Sequence, residues 1–296
     1  MDTHSRSDFG KASLNVGARI TDNIDTKTVA GFGFEWKQFD QSGVPDDESL
    51  VGFQSYFRIF PWEILPEHPV GLDVGCGSGR WARHVAPRVT RLHCVDASAD
   101  AIAVAKVNLA GFTHCVLHVA SVDDMPIDDN STDFGYCLGV LHHVPDTARG
   151  IRSCVTKLKM GAPFLLYLYY AFDNRPAWFR LLWRATDLLR CTISRSPRLL
   201  RYALSEVIAF GVYFPLARIA LALELRGYDI SCFPLSCYRK RSLYTMRTDA
   251  LDRFGTRLER RFTACEIEIM MRTAGLERIR FCDGPPFWCA LGYRAI

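Results

Sequence analysis

The chain has 296 residues, of which 49% are hydrophobic and 23% charged, and its net charge is +4. That length and apolar content suit one large domain with an insertion, and so small an excess of charge argues against a protein that coats nucleic acid. Eleven cysteines, without a CxxC pair or a Cys/His cluster at zinc spacing, read as free thiols in a reducing compartment, so the expected localisation is cytoplasmic and no metal is expected.

The opening MDTHSRSDFG is polar and lacks the apolar segment of a secretory signal. Residues 1–60 show no strand alternation and read as an N-terminal cap segment. Within it, FGFEWKQFD gathers Phe32, Phe34, Trp36 and Phe39 into a short element that packs on another surface, with Trp36 and Phe32 as candidate lid residues. QSGVPDDES reads as a loop, after which Asp46, Asp47, Glu48 and Ser49 can start a helix.

From Val70 the pattern changes. GLDVG is a short buried strand, SGRWARHVAP a helix ended by Pro87, and RLHCVD a second strand. SADAIAVAKVNLAG is a helix with Ser98 as N-cap and Gly111 past its end. CVLHVA and TDFGYCLG are the third and fourth strands, DTARGIRSCVTKLKMG another helix, and APFLLYLYY a fifth strand. Strands and helices alternating at this interval predict a parallel sheet with crossover helices. Near the end, RFTACEIEIMMRTAG is a helix with Thr263 as N-cap and Glu266 three residues on. LERIRFCD and FWCALGYR follow, joined by Gly284-Pro285-Pro286, a link so short that it permits only an antiparallel pair.

Between these blocks, residues 175–247 are helical in pattern and carry twelve Arg and one Lys against Asp187, Glu206, Glu224 and Asp229, a net +9. The segment reads as a basic helical insertion. Its longest apolar run, VIAFGVYFPLA, is interrupted by Pro215 and too short to cross a bilayer, so a soluble protein is expected.

The chemistry starts at GLDVGCGSGR. A dinucleotide fold uses G-x-G-x-x-G, whereas here the glycines are Gly75, Gly77 and Gly79, with Arg80 at the position the dinucleotide pattern reserves for glycine. The tighter spacing bends the chain, Cys76 included, round a compact ligand end. Asp73 sets a carboxylate at the strand tip that would repel pyrophosphate but suits an ammonium group or a water. Asp96, 21 residues after Gly75 at the end of the second strand, can accept both hydroxyls of an adenosine ribose.

With LDVGCGSGR, VDAS, DDMPIDDNSTDF and LGVLHHVPD in place, the chain resembles class I S-adenosylmethionine-dependent methyltransferases, in the small-molecule branch that includes ubiquinone and sterol methyltransferases. The resemblance implies a Rossmann-like, doubly wound seven-stranded α/β sheet with a C-terminal antiparallel strand pair and a helical lid. Residues 61–174 would form the first part of the cofactor-binding core, 175–250 the lid insertion and 251–296 the rest of the core. S-adenosylmethionine would be the cofactor, with Asp73 and the three glycines at its methionine end and Asp96 at its ribose. Ala97, Ser98, Ser121 and Val122 would border the adenine, and Leu138 and Gly139 would lie under the cofactor. Arg80 and Trp81 are read either as cofactor contacts or as helix surface and core.

The expected activity is methyl transfer to an O, N or C atom of a small-molecule metabolite. The alternatives are a non-catalytic S-adenosylmethionine-binding protein and a nicotinamide-dependent oxidoreductase. In plant-type O-methyltransferases a histidine in an H-D-W run is the general base. His142 aligns with it, His143 is its neighbour, and Val144 replaces the tryptophan. Tyr167, Tyr169 and Tyr170 end the fifth strand, and alternation sends Tyr170 to the face opposite the other two; Tyr170 is the third candidate for a catalytic role. No N/D-P-P-Y run follows the fourth strand, so nucleic acid is not the expected acceptor. The arginines of the insertion suggest an anionic acceptor, and docking of the insertion to a membrane surface is the minor alternative.

Overall fold

The computed structural model describes residues 23–296; the polar opening and the first part of the expected cap segment lie outside the described residues. The strands are β1 (Val70–Val74), β2 (Arg91–Asp96), β3 (Cys115–Val119), β4 (Phe134–Leu138), β5 (Pro163–Tyr167), β6 (Leu276–Phe281) and β7 (Cys289–Arg294). Among the described residues they make one seven-stranded sheet in the order β3-β2-β1-β4-β5-β7-β6. β1 to β5 pair in parallel, and β7 runs antiparallel to both β5 and β6. This is the expected Rossmann-like α/β fold with its C-terminal antiparallel pair. Every residue of β4 is buried, as a central parallel strand covered on both faces requires.

The helices crossing between strands are α3 (Ala82–Val85), α4 (Ala99–Asn108) and α5 (Thr147–Lys157), and α10 (Ala264–Thr273) leads into β6. Local chemistry sets their ends. The Ser98 hydroxyl accepts from Ala101 N at 3.3 Å, and Thr263 and Glu266 form a complete capping box. α3 is shorter than the sequence suggests. Gly79 sits at φ +80°, outside the helical region, so residues 77–80 stay in turns and the helix opens only at Ala82.

Two helices precede the sheet, α1 (Thr26–Gln38) and α2 (Asp46–Tyr56). The Asp25 side chain caps α1 by accepting from Thr28 N at 2.7 Å. The insertion holds α6 (Ala177–Ile193), α7 (Arg198–Ile208), a π turn over Ala209–Tyr213, α8 (Phe214–Leu225) and α9 (Leu243–Gly255). α9 runs through position 250, the expected edge of the insertion. Its Met246, Ala250 and Phe254 belong to the same apolar core as Ile193, Ala209, Tyr213 and Ala217. α1 packs on both α4 and α9 and so bridges sheet and insertion.

Pro215 does not interrupt its apolar run. It stands at the start of α8, directly after the π turn, where a missing N–H is tolerated. Arg198–Leu225 is therefore one continuous 28-residue helix, long and apolar enough to cross a membrane by length and composition. That corrects the expectation that the run is too short.

Candidate active site

The parallel strands end on one edge of the sheet, and the strand order reverses between β1 and β4, where ligands bind in open α/β sheets. A cavity of about 890 Å³ lies there, reaching from the glycine loop to the insertion. The loop is held on β2: Gly75 N and Cys76 N both donate to the Val95 carbonyl, at 2.7 and 3.0 Å. Gly77 sits at φ +53°, and a Cβ there would come within 2.9 Å of the Trp36 ring. The loop thus needs glycine both for its backbone conformation and for the close approach of α1.

Asp96 ties the loop to the next helix. One carboxylate oxygen accepts from Gly77 N at 3.0 Å and the other from Ser98 N at 2.8 Å. Each oxygen keeps a second acceptor position. Burial raises the Asp96 pKa, opposed by these two backbone bonds.

Most of the expected site residues meet at this cavity. Gly75, Cys76, Gly77, Arg80, Trp81, Asp96 and Ala97 line it from the β1 and β2 edges. Ser121, Val122, Leu138 and Gly139 line it from β3 and β4, and Trp36 covers it from α1. The Arg80 guanidinium lies 4.4 Å from the centre of the Trp81 ring.

Four expected residues do not reach the wall. Asp73 is buried behind the loop, with one carboxylate oxygen unpartnered and burial pushing its pKa up to about 8. The Ser98 hydroxyl is spent as the α4 cap. At Gly79 the neighbouring side chain is Leu109 of the protein interior. His142 is fully buried and stacked on Tyr169 at 3.8 Å between centroids.

The two histidines differ in their hydrogen bonds. His142 Nδ1 accepts from Tyr169 N at 3.4 Å, and its Nε2 is buried without a partner. His143 lines the cavity, and its Nδ1 lies 2.6 Å from the Leu258 carbonyl. A carbonyl only accepts, so Nδ1 carries the proton and Nε2 of the neutral ring is a bare lone pair. That Nε2, like the one of His142, is buried without a protein partner. Burial pulls the His143 pKa down to about 4, opposed by the bond to Leu258. Phe32 of α1 packs on its ring at 4.9 Å.

Tyr167, Tyr169 and Tyr170 all line the cavity. The alternation expected for them fails because β5 ends at Tyr167, after which Tyr170 makes only an isolated bridge to Phe262. The Tyr170 hydroxyl lies 3.4 Å from Arg175 Nε. The Tyr169 hydroxyl donates to Asp252.

The cavity also holds an acidic group on the insertion side: Asp249 of α9, which the sequence already offers as a lid or pocket residue, with Glu35 of α1 and Asp252 of α9, which the sequence reading missed. Burial is the largest cause raising all three pKa values, with Asp249 and Asp252 reaching about 6. A signal was present. Asp249 and Asp252 are three residues apart on one helix face, and Glu35 is a lone acid inside an aromatic run. The insertion's arginines are largely engaged elsewhere. Arg239 pairs with Glu224 at 2.8 Å, Arg247 with Glu206 at 2.7 Å and Arg190 with Asp187 at 2.5 Å, and beyond the insertion Arg253 and Arg261 pair with Glu259.

These features fit S-adenosylmethionine. The left-handed Gly75 and Gly77 lie on a wall that ends in the ribose-type acid Asp96, and the cavity continues beyond it for an acceptor. Such a sheet, loop and acid suit an S-adenosylmethionine-binding transferase. Residues 72–166 match the family model described as a methyltransferase domain. Together with that match, the sheet, loop and acid support a class I S-adenosylmethionine-dependent methyltransferase with S-adenosylmethionine as its cofactor, and they disfavour the nicotinamide alternative.

The chain is 27% identical over 180 residues to a ubiquinone biosynthesis O-methyltransferase of Xanthomonas campestris pv. campestris, covering 60% of this chain and 71% of the relative. It is 31% identical over 114 residues to an uncharacterized methyltransferase of Bacillus subtilis, covering 38% of this chain and 45% of the relative. A putative methyltransferase structure from Bacillus halodurans aligns with 18% identity and a TM-score of 0.45, over 78% of this chain and 71% of its own.

Proposed function

We propose that the protein transfers a methyl group to a hydroxyl oxygen of a small-molecule acceptor, with His143 taking the hydroxyl proton. The observation that carries this reading is the His143 hydrogen bond to the Leu258 carbonyl, which leaves Nε2, buried and without a protein partner, as the proton acceptor of a residue that lines the cavity. The name of the Xanthomonas relative, an O-methyltransferase, favours oxygen over nitrogen or carbon.

When bound, S-adenosylmethionine supplies an already activated methyl group on a sulfonium. The protein's own tasks are then alignment, exclusion of water and removal of a proton. Gly75, Cys76 and Gly77 would hold the methionine end and Asp96 the ribose. Ala97, Ser121 and Val122 would border the adenine, with Leu138 and Gly139 beneath. Trp36 and Phe32 would shield the site from water. Tyr170, with its hydroxyl near Arg175, would orient the acceptor rather than exchange protons, because burial raises its pKa.

The test is His143→Gln, which cannot take a proton. Turnover on a panel of hydroxylated metabolites falls by about 10²–10⁴-fold, while calorimetric S-adenosylmethionine affinity stays within a factor of about two. Unchanged turnover makes His143 a scaffold. With its pKa near 4, His143 is neutral from about pH 5 upward. The wild-type kcat/KM therefore shows no loss from this group between pH 8 and pH 5, and falls below that.

A further inference from the structure

The insertion turns an unusual amount of apolar surface outward. On α6, Trp178, Leu181, Leu182, Leu188 and Leu189 recur at helical spacing on one face. On the 28-residue helix, Leu199, Val207, Phe210, Phe214 and Leu225 do the same. All ten are between 37% and 79% exposed. The helix that carries the second stripe, 28 residues long, is about 42 Å in length at about 1.5 Å per residue. Monomeric soluble proteins rarely leave so large an apolar patch uncovered.

The first stripe borders the opening. Leu182 and Leu189 from α6 are exposed and also line the cavity, as does exposed Val212 from another face of the long helix. The site therefore opens beside the α6 stripe.

The long helix lies along the protein and does not leave it. Ala209, Tyr213 and Ala217 are buried in the core of the insertion. Glu206 pairs with Arg247 at 2.7 Å, and Arg218 donates to the carbonyl of Arg239 at 3.1 Å. One face is held by protein and the other is open, the geometry of a helix lying flat in a membrane interface.

Charge identifies what covers the open face. Arg180, Arg184, Arg195, Arg198 and Arg226 are exposed around these stripes, in a segment of net charge +9. Contact with a second copy would set arginine against arginine, whereas anionic lipid headgroups complement them. We propose that the insertion docks flat on an anionic lipid bilayer with the cavity mouth turned toward the lipid, so that an amphiphilic acceptor reaches the site from the membrane. The route of the acceptor rests on the methyl-transfer reading; the docking does not.

Vesicle flotation of the full chain tests this. The protein co-floats with vesicles containing phosphatidylglycerol, and does so less with phosphatidylcholine alone or in about 0.5 M salt. A combined Leu181→Asp, Leu188→Asp, Val207→Asp and Phe210→Asp variant stays with the free protein while keeping the wild-type circular dichroism and S-adenosylmethionine affinity. A second variant, Arg180→Glu with Arg184→Glu, alters no packing and loses the preference for anionic lipid. The proposal fails if wild type does not float or if either variant floats as wild type does. It also fails if light scattering shows a wild-type dimer that the aspartate variant dissolves, which assigns the face to a second copy. Flotation requires no turnover, so its failure leaves methyl transfer standing, and loss of turnover leaves docking standing.

Discussion

At Gly77 two demands coincide, a left-handed backbone and contact with the Trp36 ring. Alanine there meets a left-handed strain of about 1–2 kcal/mol and displaces the ring, so Gly77→Ala weakens calorimetric S-adenosylmethionine binding by about tenfold or more. Asp96→Ala removes an acid that accepts Gly77 N and Ser98 N. Charge-assisted bonds of this kind are worth about 1.5–3 kcal/mol, so affinity drops about 10- to 100-fold with the fold intact by circular dichroism. The glycine spacing and the acid were legible because each performs a local task that few other residues can perform. The different placement of His142 and His143 was not legible. It depends on Leu258, far along the chain, which fixes the His143 tautomer.

Among the elements, α1 illustrates what pattern alone conveys. FGFEWKQFD announced a packing element, and its aromatic residues do pack: Trp36 on the glycine loop, Phe32 on His143 and Phe39 on Tyr244. What they pack against needed the tertiary structure. Trp36→Ala removes a large apolar contact worth about 1.5–3 kcal/mol, so S-adenosylmethionine binds about 10- to 100-fold more weakly and leaves faster in stopped-flow fluorescence. α10 is a contrast, since its capping box was readable from Thr263 and Glu266 by spacing alone. Thr263→Ala costs about 1 kcal/mol of stability in urea unfolding and leaves turnover unchanged. The long helix misled the reading because proline ordinarily ends a helix, and the π turn that accommodates Pro215 has no sequence signature.

The molecule as a whole carries buried acids that oppose stability near neutral pH. The Asp252 pKa rises to about 6, chiefly through burial, so the folded state holds a proton that the unfolded state releases near pH 4. The stabilisation linked to that proton is complete below about pH 4 and is lost as pH rises through about 6. Asp252→Asn keeps an acceptor for the Tyr169 hydroxyl and removes the buried charge. Its melting temperature therefore exceeds wild type at pH 8, by no more than about 3 kcal/mol of stability, and the gap closes between pH 6 and pH 4 in thermal scans. The sequence by itself determined the parallel sheet, its antiparallel end, the glycine loop and Asp96, because periodicity, capping and left-handed glycines act over a few neighbouring residues. Only the tertiary structure decided which histidine faces the cavity, that Glu35, Asp249 and Asp252 share it, and that the insertion exposes an apolar stripe beside the mouth. Those features join segments as far apart as Glu35 and Asp252, and burial and hydrogen bonding between such segments exist only once the chain has closed.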